Sequence, residues 1–247
     1  MQLESVTGKI QDHACDSSPE LRLYQSFRPA LCDGMKIERF GEQGIRIIFG
    51  QEVDEETAEA VRRFFLYVRS LKITGLIDII PSFRSCLIHF DRDHIEYDDM
   101  AAFLSGIQDD WKKMLLPEVQ RIEIPVRYGG DYGPDMDFVC SYSGLSSEEV
   151  IEIHSAVTYR VYAVGFMPGF PHLGTLDRRI YVPRQETPVL KVPQGSVGIA
   201  QFQTGIYPFE SPADWRIIGR TMARIFDPGQ APYSLLNFGD IVRFVRS

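Results

Sequence analysis

Strand-like and helix-like stretches alternate along the chain. Lys36 to Phe40 and Ile45 to Gly50 read as strands, with Gly41 to Gly44 as the turn between them. The period then lengthens. Ala58, Val61, Phe65 and Val68 recur at helical spacing, so a helix runs from Glu55 to about Leu71, capped by Asp54 and closed off by Gly75. Leu76 to Ile80 and Ser85 to Phe90 are two further strands, separated by Pro81. A second helix opens at Asp98 or Asp99, with Met100, Phe103, Leu104, Ile107 and Trp111 as its apolar stripe, and Pro117 stops it. The order β-β-α-β-β-α predicts an open sheet with helices on one face.

A boundary falls near Pro117. Beyond it, Glu118 to Tyr128 reads as a strand and Asp135 to Ser143 as a helix. Ser146 and Glu149 form a capping box for a helix over Ser147 to Ala156. Val157 to Gly165 is a β segment, after which Pro168, Gly169, Phe170 and Pro171 block any regular element. Short β-prone pieces, SVGIAQF and GIYPF among them, follow between closely spaced glycines and prolines, and IVRFV closes the run. This is the pattern of a loop-rich β-barrel or cup. A long Gly/Pro/aromatic stretch that must be ordered is also a natural place for a pocket, although a β-domain with short turns needs the same residues.

The chain has 247 residues, which suits one large or two small domains, either able to bury a core of its own. The net charge of -8 disfavours nucleic acid or an anionic membrane as the main partner, since both call for clustered Lys and Arg. Cys15, Cys32, Cys86 and Cys140 form no CxxC or Cys/His metal spacing. The polar first twenty residues lack the apolar core of a secretion signal, and no run approaches a membrane span. The expectation is a reduced, cytoplasmic protein with no metal. Residues 1–34 show weak periodicity and are expected to be a partly disordered extension.

YRVYAVGFMPGFPHLG, VPQGSVGIA, QTGIYPFESP, IGRT and FDP occur in this order. With these spacings, the stretch from Met35 onward resembles the family called allophanate hydrolase subunit 1, which includes PxpB-type 5-oxoprolinase subunits and the kinase inhibitor KipI. It is also similar to half of the carboxyltransferase domain of urea carboxylase. The resemblance implies an α+β fold: a small α/β domain over 35–117, then a cyclophilin-like β-barrel over 118–247. It implies a non-autonomous subunit of an ATP-dependent 5-oxoprolinase, which hydrolyses 5-oxoproline to glutamate with a C subunit and an A subunit. Two alternatives stay open. One is a KipI-like inhibitor of a sensor histidine kinase, binding through a patch of Phe166, Met167, Phe170 and Pro171. The other is a subunit for urea or allophanate chemistry.

Candidate chemistry is drawn from the same stretch. His154 suits acid–base work or a core hydrogen bond, and the resemblance favours function, because the family also carries His here. Lys191 and Arg160 suit anionic groups, with paired surface cations as the ordinary alternative. Gly195, Ser196, Val197 and Gly198 could present backbone N–H groups to an anion. Gln203, Thr204, Tyr207 and Ser211 offer neutral polar groups to an amide-bearing substrate, and Phe166, Pro168, Gly169 and Phe170 would shape the pocket. His172 reads as a rim residue. Ala213-Asp214 stands where the family commonly has Gly-Gly, a departure that stiffens the loop and adds a negative charge. No Walker loop, GxGxxG motif or biotinyl-lysine motif is present, so ATP would be bound by another subunit or at a site without a known signature.

Overall fold

The structure, a computed structural model, describes residues 35–107 and 109–247; the expected extension over 1–34 lies outside the described residues. The first half contains β1 (Lys36–Arg39), β2 (Gly44–Ile48), α1 (Glu55–Ser70), β3 (Leu76–Ser82), β4 (Ser85–Phe90) and α2 (Tyr97–Gly106). The strands lie antiparallel in the order β1-β2-β4-β3. Asp54 starts α1 by accepting the Thr57 N–H at 2.7 Å, so one of the helix's orphan donors is satisfied. Ile45, Ile47, Val61, Phe64, Val68, Ile88, Phe90, Met100 and Leu104 form the core between sheet and helices.

Three local expectations shift. The buried face of α1 uses Phe64, while Phe65 is only partly covered. The α2 helix stops at Gly106, and Ile107 and Trp111 reach the core from the 3-10 turn region after it, with Phe103 left exposed. Pro81 does not divide the strands: β3 continues through it to Ser82, because a φ fixed near −65° fits extended backbone. The reversal falls at Phe83 and Arg84 instead.

The second half supplies β5 (Arg121–Tyr128), α3 (Met136–Ser143), α4 (Ser147–Ala156), β6 (Thr158–Val164), β7 (Pro171–Gly174), β8 (Val189–Val192), β9 (Ser196–Ala200), β10 (Gln203–Ile206), β11 (Ser211–Ala213), β12 (Arg216–Arg220) and β13 (Ile241–Arg246). Both bonds of the Ser146–Glu149 capping box are made at the start of α4. The order β6-β13-β5-β12-β9-β10-β7, with β7 pairing back onto β6, closes a barrel. β13 lies parallel to β5 and antiparallel to β6. All the barrel strands feed one interior cluster, which includes Ile124, Tyr159, Val161, Leu173, Val197, Ile206, Ile218, Val242 and Phe244, and α3 and α4 pack into it. The fold is thus α+β, with the barrel the resemblance implied.

β8 and β11 form a separate two-stranded flap. It helps to enclose a second cluster of Phe170, Val192, Ala200, Tyr207, Ala213, Trp215 and Ile217. The strand residues alternate between the clusters: Val197 and Ile199 face the interior, while Gly198 between them approaches Trp215 and Tyr207. The two halves join where Ser82 of β3 pairs with Ala163 of β6. Among the described residues, no helix is long and apolar enough to cross a membrane.

Candidate functional site

The three residues expected to do chemistry do not converge. His154 lies on the buried face of α4, with no exposed surface. Thr204 Oγ1 donates to the Gly198 carbonyl at 3.0 Å, so at 3.0 Å from His154 Nε2 it accepts that nitrogen's proton. The other ring nitrogen, Nδ1, then accepts the Tyr128 hydroxyl at 2.8 Å. This network assigns the Nε2–H tautomer. Phe244 stacks on the ring with centroids 4.6 Å apart. Burial pushes the His154 pKa down to about 3, so the imidazole is neutral. A general acid or base must reach the reacting atom, and among the described residues this ring's hydrogen-bond partners are Thr204 and Tyr128 alone. The geometry gives it the core hydrogen-bonding alternative, tying α4 to β5 and β10.

Arg160 Nη2 bonds Glu55 Oε1 at 2.7 Å, across the junction between the two halves. Lys191 stands on the flap, largely exposed, with Nζ 2.8 Å from Glu210. Its neighbour Val192 faces the second cluster, so Lys191 points away from it.

The glycine run is not an anion nest. Gly195 N–H donates to the Tyr207 carbonyl at 2.8 Å and Ser196 N–H to the Pro193 carbonyl at 3.2 Å. Val197 and Gly198 lie in β9, which pairs on both sides with β10 and β12. The Ser196 hydroxyl is buried and bonds the Pro193 carbonyl at 2.7 Å. A central strand has spent its donors on its neighbours. The Ser211 hydroxyl bonds the Pro212 carbonyl. The expected apolar patch is also divided: Phe166 is 75% exposed and Pro168 is exposed, whereas Phe170 is 1% exposed and Pro171 is buried. Phe170 belongs to the second cluster, so it cannot present a docking face.

What the fold does assemble lies on the outer face of the barrel, around His172. On β10, Thr204 faces the interior and Gln203 faces outward, as strand alternation requires. His172 Nδ1 lies 3.0 Å from Gln203 Oε1, an acceptor, so Nδ1 carries the proton. Among the described residues, His172 Nε2 has no hydrogen-bond partner. Phe170, Trp215 and Phe83 surround the ring, with centroids 4.9, 5.9 and 5.9 Å away. Burial lowers the His172 pKa, opposed in part by the Gln203 bond, with a smaller lowering from the Arg184 charge. The result is a neutral imidazole with a free lone pair in an aromatic surround.

Gly205 allows the close approach: a Cβ there would lie 2.9 Å from the Phe170 ring. Phe83 comes from the first half, at the β3–β4 turn. Its N–H donates to the Tyr162 carbonyl at 2.7 Å, and its ring stacks parallel to Tyr162.

The segment after β7 completes the rim. Gln185 N–H donates to the Asp214 carbonyl at 2.7 Å, and its side-chain amide reaches the Trp215 carbonyl at 3.1 Å. Arg184 Nη1 contacts both Asp214 carboxylate oxygens, at 3.1 and 2.8 Å, and its guanidinium lies 5.6 Å from the Trp215 ring centre. Asp214 is therefore paired and does not simply sit in solvent. Of the expected pocket residues, Phe170, Gln203 and Tyr207 join this assembly. His172, Trp215, Arg184 and Phe83 were missed as site residues. The signal for His172 and Gln203 was their place on facing strands; Phe83 carried no local signal. A cleft of about 590 Å³ lies on the first half's open sheet face beside Phe40, Ile80, Leu87 and His89, away from this assembly.

Residues 35–236 match the family model described as the carboxyltransferase domain, subdomain C and D. The B subunit of 5-oxoprolinase from Bacillus subtilis (strain 168) is 40% identical over 222 residues, covering 85% of this chain and 92% of that protein. The protein of the same name from Escherichia coli O157:H7 is 50% identical over 144 residues, covering 58% of this chain and 66% of that one. Among solved structures, TTHA0988 superposes with a TM-score of 0.73 at 34% identity, covering 83% of this chain; the match spans 40% of that longer chain. With the domain model spanning most of its length and a relative 40% identical along nearly all of its own, the chain belongs to the carboxyltransferase C/D-domain family, alongside the 5-oxoprolinase B subunits.

Proposed function

We propose that this chain is the B-type subunit of an ATP-dependent 5-oxoprolinase, opening the lactam of 5-oxoproline to glutamate together with a C subunit and an A subunit. One observation carries the reading: the identity to a 5-oxoprolinase B subunit along 92% of that protein. The geometry supports it by supplying an uncommitted base, His172 Nε2, beside an aromatic wall. His172 is only partly buried, which suits half of a composite site completed by another subunit.

In this reading, water attacks the lactam carbonyl carbon and gives its proton to His172 Nε2. The C–N bond then breaks, and the imidazolium returns the proton to the departing nitrogen, which becomes the amine of glutamate. Gln203 holds the Nδ1 proton throughout, fixing tautomer and ring orientation, as a carboxylate does in other histidine pairs, though without a charge. A lowered pKa keeps Nε2 free at neutral pH. The Gly195–Gly198 run offers phosphates no free N–H groups, which favours another subunit as the holder of ATP. ATP is assigned to the partner subunits, and no step here runs through it.

The test is co-expression with candidate A and C subunits, followed by measurement of glutamate and ADP formed from 5-oxoproline and ATP. Turnover only with all three chains is the expected result. A stable complex that never releases glutamate would overturn the assignment.

A further inference from the structure

Arg184 is drawn up to the His172 assembly by Asp214 and Trp215, although it is 44% exposed. Its backbone neighbour Gln185 is tied by both main chain and side chain to Asp214 and Trp215. Both Asp214 oxygens are engaged by a single nitrogen, Nη1. Among the described residues, Nη2 and Nε have no hydrogen-bond partner. The guanidinium lies by one ring, Trp215, whose other contacts include His172 and Phe170. A cation with two adjacent donors left over, on the same tryptophan as a neutral base, has the chemistry to receive a carboxylate. Asp214 lowers the entropic cost of binding by fixing the fork in advance.

We propose that Arg184 is the specificity-determining residue of this site, receiving the carboxylate of a small carboxylate-bearing lactam, and that Asp214 is its positioning residue. The proposal rests on the reading of the His172 assembly as the lactam site. A planar ring whose carboxylate sits on the Nη2/Nε edge would lie along Trp215 with its amide toward His172. A lactam without the carboxylate would keep the aromatic contacts and lose the anchor. This sets the discrimination at the ring substituent rather than at the amide itself.

The test uses the full chain with its histidines isotopically labelled, following the His172 ring resonances by NMR. L-5-Oxoproline and 2-pyrrolidinone, which lacks the carboxylate, are titrated separately. The wild type is expected to bind 5-oxoproline at least about tenfold more tightly. Arg184→Gln should abolish that preference and leave 2-pyrrolidinone binding unchanged. Arg184→Lys, which keeps the charge and loses the fork, should restore only part of it. Asp214→Asn should weaken 5-oxoproline binding while Asp214→Glu rescues it. If 5-oxoproline binds and Arg184→Gln keeps the preference, the Arg184 assignment is wrong and the lactam site stands. If neither ligand moves the His172 resonances, in the chain or in its reconstituted complex, the lactam site itself is wrong and Arg184 falls with it. In the active complex, Arg184→Gln should raise KM for 5-oxoproline about tenfold and leave kcat within about threefold; a fall in kcat alone would also overturn the proposal.

Discussion

The Phe83 ring lies parallel to the Tyr162 ring, with centroids 6.1 Å apart, and its N–H donates to the carbonyl of the same tyrosine. A turn of the first half thereby becomes a wall of a site built on the second. Phe83→Ala removes the wall and belongs to neither core. It should weaken lactam binding at His172 and lower stability by only about 0.5–1.5 kcal/mol, the worth of an aromatic pair. Alanine keeps the positive φ of 34° that Phe83 already adopts, so backbone strain is held constant. Paired titrations and thermal melts separate the two effects.

The two histidines of the second half should fail in different ways. His172→Gln is expected to fold normally and lose about 10²–10⁴-fold in kcat in the reconstituted enzyme. His154→Ala strips partners from Thr204 and Tyr128 and opens a cavity, and should cost about 2–5 kcal/mol by urea denaturation. Whatever remains folded should turn over normally. A folded His154→Ala protein with no activity would restore a direct role to that ring.

Acid should expose His154 as well. Its folded pKa, about 3, lies below the unfolded 6.5. Between these values the unfolded chain binds a proton that the native ring refuses, so stability falls as pH drops through that window. The slope from this group reaches at most about 1.4 kcal/mol per pH unit. His154→Gln should flatten the dependence of the urea midpoint over pH 6.5 to 4, and an unchanged slope would assign it to other groups.

Opposite surfaces of the 165–171 loop give a further contrast. Phe166→Asp alters an exposed ring and should shift the melting temperature little. Phe170→Asp buries a charge among Tyr207, Trp215 and His172 and should prevent folding. If Phe170→Asp folds with native stability, the second cluster is not a core.

Gly169 is constrained twice, by a φ of 79° and by Phe226, whose Cβ would stand 2.6 Å from an added Cβ. Gly169→Ala should destabilise by more than about 1 kcal/mol and displace Phe226 from Phe209. A melting curve like that of the wild type would show the loop free to relax.

Much of this architecture was legible in the residues themselves. The Ser146–Glu149 capping box, the Asp54 cap and the apolar spacings along α1 are local, and local signals survive folding. A loop-rich barrel or cup was legible in the short strands between glycines and prolines, and its cyclophilin-like form only through the five motifs. Of the site, Phe170, Gln203 and Tyr207 were legible and the rest was not, because side-chain direction on a central strand is set by pairing. Gln203 and Thr204 look equivalent in QTGIYP, yet one meets His172 and the other His154. Gly195 to Gly198 resembles an anion cradle until the Tyr207 and Pro193 carbonyls and the neighbouring strands take its N–H groups. Phe83, 89 residues before His172 in the numbering, needed the sheet to bring it there.

The place of β13 between β5 and β6 also has a kinetic meaning. Gln120 at the head of β5 gives its N–H to the Asp240 carboxylate, 120 residues along the chain, and six parallel pairs follow from Ile241 to Arg246. Contacts so distant in sequence form only after a long loop has closed, and each contributes nothing until then. The first half, whose strands pair with near neighbours, is free to fold early, whereas the barrel stays an open sheet with bare edges until β13 docks. That interval is when the chain is most exposed to aggregation, and strengthening the Gln120–Asp240 clasp is the most direct way to shorten it.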